Sequence, residues 1–252
     1  MRFYGLEISG VRAFPVMAAS NEQSPVALRD SRRLPIWRCF LLLPSLLAGL
    51  LWALFLSLPV EAEGRGRRLP ENLIRVPLVR QSTDYTCGVA ALQSLLAYFA
   101  VEEREDRLAA ELRSNRKQGT AFERIVKAAE KRGLSAQVKV GMTVTELERN
   151  IDSRKPVLCL VQAWAESENG QAVNYERRWQ DGHYVVAVGY DGDCVYFMDP
   201  STLGHFVYVP RAEFEKRWHD TDGRRKLEHF GMIFSNVKNV PKYEPEIAIP
   251  ME

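Results

Sequence analysis

Residues 40–60 (FLLLPSLLAGLLWALFLSLPV) carry no charge and are apolar on every face, so neither a helical nor a strand period can be read there. From about residue 73 the pattern turns periodic. Residues 74–78 (IRVPL) are a short apolar lead-in, and 81–87 (QSTDYTC) read as a polar turn. Residues 88–100 (GVAALQSLLAYFA) predict a helix with a broad apolar face, Thr86 as its N-cap and Cys87 in its first turn. A second, more polar helix is expected over 102–115. A third is expected over 121–132, opened by the turn at Gly119-Thr120 and ended by Gly133. Residues 134–140 alternate as a strand, and 143–151 predict a short helix with Thr143 and Glu146 spaced as a capping box. Residues 156–163 (PVLCLVQA) read as a buried strand, followed by a polar insertion over 165–181. The runs 184–190 and 194–198, joined by Asp191-Gly192, predict a hairpin that ends at Asp199-Pro200. A strand over 205–209, a helix over 211–218 and a last strand over 230–234 complete the pattern. Helices followed by an antiparallel meander make an α+β domain.

The chain has 252 residues, 46% hydrophobic and 26% charged, enough for one domain with a substantial core. Five segments follow: 1–39 as a cytoplasmic or n-region, 40–60 as a hydrophobic segment, 61–72 as a flexible linker, 73–237 as the globular domain and 238–252 as an irregular tail. With 34 basic and 32 acidic side chains the net charge is +2. No basic stripe marks a nucleic-acid surface, and no glycine-rich phosphate loop is present. No nucleic acid and no bound ATP are therefore expected.

The apolar run is long enough to span a bilayer core. Arg29, Arg32, Arg33 and Arg38 precede it, which predicts a cytoplasmic N-terminus and a globular domain on the far side. Val60-Glu61-Ala62 offers small residues for signal cleavage after Ala62, while Pro44, Pro59 and the long leader favour a retained anchor. Met17 is an alternative start. The domain is expected in the cell envelope, anchored through 40–60 or exported if the segment is cut.

The chemistry gathers around Cys87. A helix N-terminus supplies unpaired N–H groups and a positive dipole end, both of which favour a thiolate. Gly88, lacking a Cβ, is expected to let a substrate approach. Gln81, six residues upstream, offers a carboxamide N–H that with the Cys87 backbone N–H would make a two-donor oxyanion hole. His183, at the mouth of the first hairpin strand, suits a general base. Asp199 closes the return strand and reaches the same sheet edge, where it can orient the imidazole. Tyr85 and Trp164 are candidate substrate walls. Each of these residues has an ordinary structural explanation taken alone; their joint placement carries the argument. Of the four cysteines, Cys159 and Cys194 read as core hydrophobes, or as a disulfide if their strands are neighbours. No zinc-type ligand spacing is present, so no metal and no other cofactor is expected. His205, His219 and His229 are not expected at the centre.

The stretches QSTDYTCGVAALQSLLAYF (81–99) and DGHYVVAVGYDGDCVYFMDPS (181–201) resemble the bacteriocin-processing, double-glycine leader cysteine peptidases and their stand-alone relatives, within the papain-like group. The resemblance spans about 73–237. It implies a papain-like fold, with N-terminal helices carrying the nucleophile at a helix N-terminus against an antiparallel sheet. It implies Cys87 as nucleophile, His183 as base, Asp199 as its orienting partner and Gln81 in the oxyanion hole, acting on a peptide or protein substrate. The best-known relatives are N-terminal domains of ABC exporters facing the cytoplasm. Here the domain follows a hydrophobic segment and is expected to face outward, and the insertion 165–181 is placed to cover or extend the cleft. Two other functions share the same residues: a papain-like acyl transferase or amidase acting on a non-peptide or cell-wall amide, and a catalytically silent peptide-binding module. A metal hydrolase built on His183, Asp199 and Cys87 lacks the usual ligand pairs.

Overall fold

The computed structural model describes residues 66–164, 173–236, 243–248 and 250–251. The apolar run 40–60, the cleavage site after Ala62 and residues 165–172 of the insertion lie outside them. Among the described residues no helix is long and apolar enough to cross a membrane.

Among the described residues the first helix, α1 (Cys87–Tyr98), is the centre of the core. Its apolar residues recur on nearly every side: Val89–Leu92, Ser94–Leu96 and Tyr98 are all buried, and Gln93 and Ala97 are half-buried. Burying each leucine contributes about 1.5–3 kcal/mol relative to exposure. Its two interior polar side chains find backbone partners: Ser94 Oγ donates to Pro77 O at 2.6 Å, and Gln93 Nε2 to Glu103 O at 2.8 Å. Helices α2 (Glu105–Leu112) and α3 (Phe122–Lys131) are amphipathic and bury single stripes against α1. The short helix α4 (Val144–Asp152) carries the expected capping box, with Glu146 N donating to Thr143 Oγ1 and Thr143 N to Glu146 Oε2.

The strands are β1 (Leu134–Lys139), β2 (Val157–Gln162), β3 (Gly182–Tyr190), β4 (Cys194–Met198) and β5 (Val207–Pro210). After helix α5 (Arg211–Arg217) come β6 (His219–Thr221), β7 (Lys226–Glu228) and β8 (Gly231–Asn236). Six of them form one sheet in the order β1-β8-β2-β3-β4-β5, every neighbouring pair antiparallel. The meander expected from the sequence holds for β2 to β5 only. β8 returns to lie between β1 and β2, because β2 is buried along its whole length and needs a partner on both sides. The hairpin β6–β7 was not visible in the sequence; three-residue strands reading HDT and KLE carry no periodic signal.

Between Ala187 and Gly189 the β3–β4 register slips by one residue. Val188 O is turned to accept Ile74 N at 2.7 Å from the segment leading into α1. Gly189 allows that approach, since a Cβ there would lie 3.0 Å from Leu73 Cδ1 and Pro70 Cγ. The linker expected to be free is held from Arg67 onward: Arg67 pairs with Asp193 at 2.8 Å and lies over the Tyr208 ring, and Asn72 Oδ1 accepts Tyr190 N at 3.2 Å. Tail residues 243–248 form no helix or strand, and Tyr243 N donates to Tyr98 O at 2.8 Å. A disulfide between Cys159 and Cys194 is ruled out by topology, because β3 separates their strands; both thiols are free and buried.

Candidate active site

Cys87 is the first residue of α1 and is half-buried. Thr86 stands at the N-cap, as expected, yet its side chain makes no cap hydrogen bond. Its Oγ1 is used inside the preceding turn, accepting from Thr83 N at 3.2 Å and facing Thr83 Oγ1 at 3.1 Å. The first N–H groups of α1 are thus left for other acceptors. Burial pushes the Cys87 thiol up, but its interaction with His183, joined by the backbone N–H groups of Tyr184 and Gly88, outweighs it and brings the thiol below its ordinary value.

His183, the second residue of β3, is almost fully buried, and its Nε2 lies 2.7 Å from Asp199 Oδ1. A carboxylate on Nε2 holds the ring proton there in the neutral imidazole, so Nδ1 presents its lone pair. Nδ1 is buried and makes no hydrogen bond. Burial alone would lower the imidazole. Asp199 and Cys87 act the other way and push it up to about 9. Asp199 is itself fixed by Ser201, whose N and Oγ donate to Oδ1 at 2.7 and 2.8 Å. Burial would raise Asp199, and the His183 and Ser201 interactions override it, holding the carboxyl below the usual range.

Gln81 N donates to Pro200 O at 2.9 Å, which joins the turn before Cys87 to the turn after β4. Gln81 Nε2 donates to Thr83 O at 2.7 Å, while its Oε1 is buried without a partner. Trp164 follows β2 in a left-handed conformation (φ 51°) that is rare for a bulky residue. It is 57% exposed, and its ring centroid lies 4.2 Å from that of His183. Tyr85 is half-buried beneath the Arg116 guanidinium, which also pairs with Asp84.

Gly88 serves a different purpose from the one expected. It is buried, and a Cβ would lie 2.9 Å from both Thr120 Cβ and Tyr184 Cδ2. The missing side chain lets α1 seat on β3 rather than opening a path for substrate. His205 is exposed, the His219 ring is tilted against Trp179 with centroids 4.4 Å apart, and His229 stacks on Trp218. Among the described residues no cluster of three His, Cys, Asp or Glu side chains is arranged for a metal.

Sequence reasoning missed Ser201, although Asp199-Pro200-Ser201 is an Asx-type turn in which a side-chain or backbone donor two residues on is ordinary. It also missed Gln162 and Asp220. Gln162 closes the otherwise apolar strand VLCLVQ, and a glutamine in a wholly buried run was the available signal. For Asp220 there was none, since β6 was not predicted.

The model of the Peptidase C39 like family matches residues 73–225. Among curated proteins, an uncharacterized protein of Methanothermobacter marburgensis is 29% identical over 139 residues, which is 55% of this chain and 80% of that protein. Among solved structures, a C39-like peptidase from Bacillus anthracis is 21% identical over 70% of this chain and 100% of its own, with a TM-score of 0.49. The peptidase domain of Streptococcus ComA, a bi-functional ABC transporter of a quorum-sensing pathway, is 19% identical over 64% of this chain and 99% of its own (TM-score 0.48). A double glycine motif protease from an AMS/PCAT transporter, solved with a leader peptide, is 20% identical over 69% and 100% (TM-score 0.46).

Proposed function

The chain belongs to the Peptidase C39 like family and is a cysteine peptidase, and from that premise we propose that Cys87, His183 and Asp199 hydrolyse a peptide bond through an acyl-enzyme. The observation that carries the reading is the 2.7 Å bond from His183 Nε2 to Asp199, which leaves Nδ1 for the sulfur. In the resting site the thiol proton sits on Nδ1, giving a thiolate and an imidazolium. The sulfur attacks the scissile carbonyl carbon, and the carbonyl π electrons move to oxygen. The oxyanion accepts from the Cys87 N–H and from the second N–H of Gln81 Nε2, whose first N–H is spent on Thr83 O. Each such donor lowers the barrier by about 3 kcal/mol. Collapse breaks the C–N bond, and the leaving amine takes the Nδ1 proton. Water then gives its proton to Nδ1 and attacks the thioester. The second collapse releases the carboxylic acid and returns the thiolate. Trp164, whose ring is tilted against the imidazole with centroids 4.2 Å apart, and Tyr85 are the substrate walls on this reading.

The substrate on this reading is a peptide or protein. Transport of the domain out of the cytoplasm by residues 40–60 is supported by the arginines before that run; N-terminal sequencing of membrane and soluble fractions reads whether the segment is retained or cut after Ala62. The mechanism is tested by incubating the chain and its Cys87→Ser variant with a complex peptide mixture and identifying products by mass spectrometry. New termini are expected with the parent chain only, at unchanged circular dichroism. Full activity in the variant would refute the covalent route.

A further inference from the structure

Resting on the triad reading, we propose that Gln162 and Asp220 are positioning residues for the base: together they clamp the end of β3 that carries His183 to the hairpin β6–β7. The register of the sheet sets Gln162 opposite Gly182, the residue before His183. Gln162 is completely buried, and each of its polar atoms is engaged. Its Oε1 accepts Asp181 N at 3.1 Å, while Nε2 donates to His219 O at 3.1 Å and to Asp220 Oδ1 at 3.2 Å. One amide therefore ties the last turn before β3 to β6 and uses both of its N–H groups to do so.

The fit at Gly182 is tight. A Cβ there would lie 2.2 Å from Asp220 Oδ2 and 2.7 Å from Oδ1, so the carboxyl group rests directly on the Gly182 backbone. Asp220 is half-buried, and burial pushes its pKa upward. A carboxyl group in such a place is costly, and β6 need not carry one to complete a two-stranded hairpin. Its contacts account for it: Gln162 on one side and the backbone next to His183 on the other. Arg217 Nη1 adds a bond to Gln162 O at 3.3 Å, which joins α5 to the same point. The consequence is a stop behind the imidazole. Asp199 sets the ring from the Nε2 side, and the Gln162–Asp220 pair sets where the ring's own backbone lies. Proton transfer over hydrogen-bond distance is sensitive to a displacement of about 1 Å, which costs on the order of 100-fold in rate.

The test uses the full chain with Gln162→Met, which keeps length and burial but loses three hydrogen bonds, with Asp220→Ala, and with the pair combined. Iodoacetamide alkylation of Cys87 is followed against pH, and peptide hydrolysis is measured per thiol titrated. Each single variant is expected to lose about 10- to 100-fold in turnover per titrated thiol. The double variant should lose no more than the worse single one, as for residues acting as one unit. The alkylation midpoint should move up, toward that of a free thiol. Asp220→Asn retains an acceptor for Gln162 Nε2 and should recover most of the loss; it also serves if Gln162→Met does not fold. Unchanged turnover per thiol and an unchanged alkylation profile, with only a lower melting temperature, would overturn the proposal and leave the network as scaffolding. A parent chain whose Cys87 alkylates like a free thiol would instead overturn the triad reading itself.

Discussion

Replacing Asp199 separates a group that orients a base from a residue that merely ends a strand. The carboxylate holds His183 Nε2 at 2.7 Å and is only 15% exposed, so solvent screens the pair weakly. A hydrogen bond to a charged group contributes about 1.5–3 kcal/mol. Asp199→Ala should therefore slow kcat/KM by about 10- to 150-fold, at roughly 1.4 kcal/mol per factor of ten. Asparagine retains an oxygen for the imidazole and for Ser201 N and Oγ, and loses only the charge; Asp199→Asn should cost about tenfold. The pH profile carries a second signature. On the triad reading His183 works as imidazolium until pH rises through about 9, where it loses its proton. Without Asp199 burial is less opposed, the imidazole falls, and the alkaline limb moves to lower pH. Cys87 then loses part of the positive charge that holds its thiol down, so the acid limb moves to higher pH. The active window narrows from both sides. Steady-state hydrolysis against pH for the three proteins, with circular dichroism as the control for folding, reads both effects. An Asp199→Ala variant within about twofold of the parent rate, its alkaline limb still near 9, would refute the reasoning.

Two further outcomes bear on the scaffold. Gly88→Ala forces a Cβ to 2.9 Å from Thr120 and Tyr184; urea unfolding should show a loss of about 1–3 kcal/mol, as for overpacked cores, and an unchanged midpoint would mean that α1 and β3 part more easily than their packing implies. In the β6–β7 turn, Asp222 accepts Arg224 N and Arg225 N at 2.8 Å and is held down to about 2. Its contribution to stability is present above the ordinary aspartate value and is lost as pH falls through about 2. Asp222→Ala should thus melt below the parent at neutral pH and converge with it in strong acid; equal melting temperatures at neutral pH would show that the turn does not depend on this carboxylate.

Much of this protein was determined by local pattern. The apolar surround of α1, the Thr143–Glu146 box, the Asp191-Gly192 turn and the β3–β4 hairpin are short-range features, each specified by residues within a few positions of one another. The first members of the site were legible for the same reason. Cys87 sits at a helix end that its own neighbours define, and the hairpin brings His183 and Asp199 to one edge by counting residues along two strands. Only the tertiary structure decided what depends on residues far apart. It inserted β8 between β1 and β2, because a strand buried throughout needs a second partner that no local pattern names. It separated Cys159 from Cys194 and gave Gly88 to packing rather than to substrate. It placed Asp199 against His183 Nε2 and set Asp220 against Gly182. Those outcomes are settled by which surfaces meet, and hydrogen-bond geometry across such a meeting depends on distances that sequence spacing does not contain.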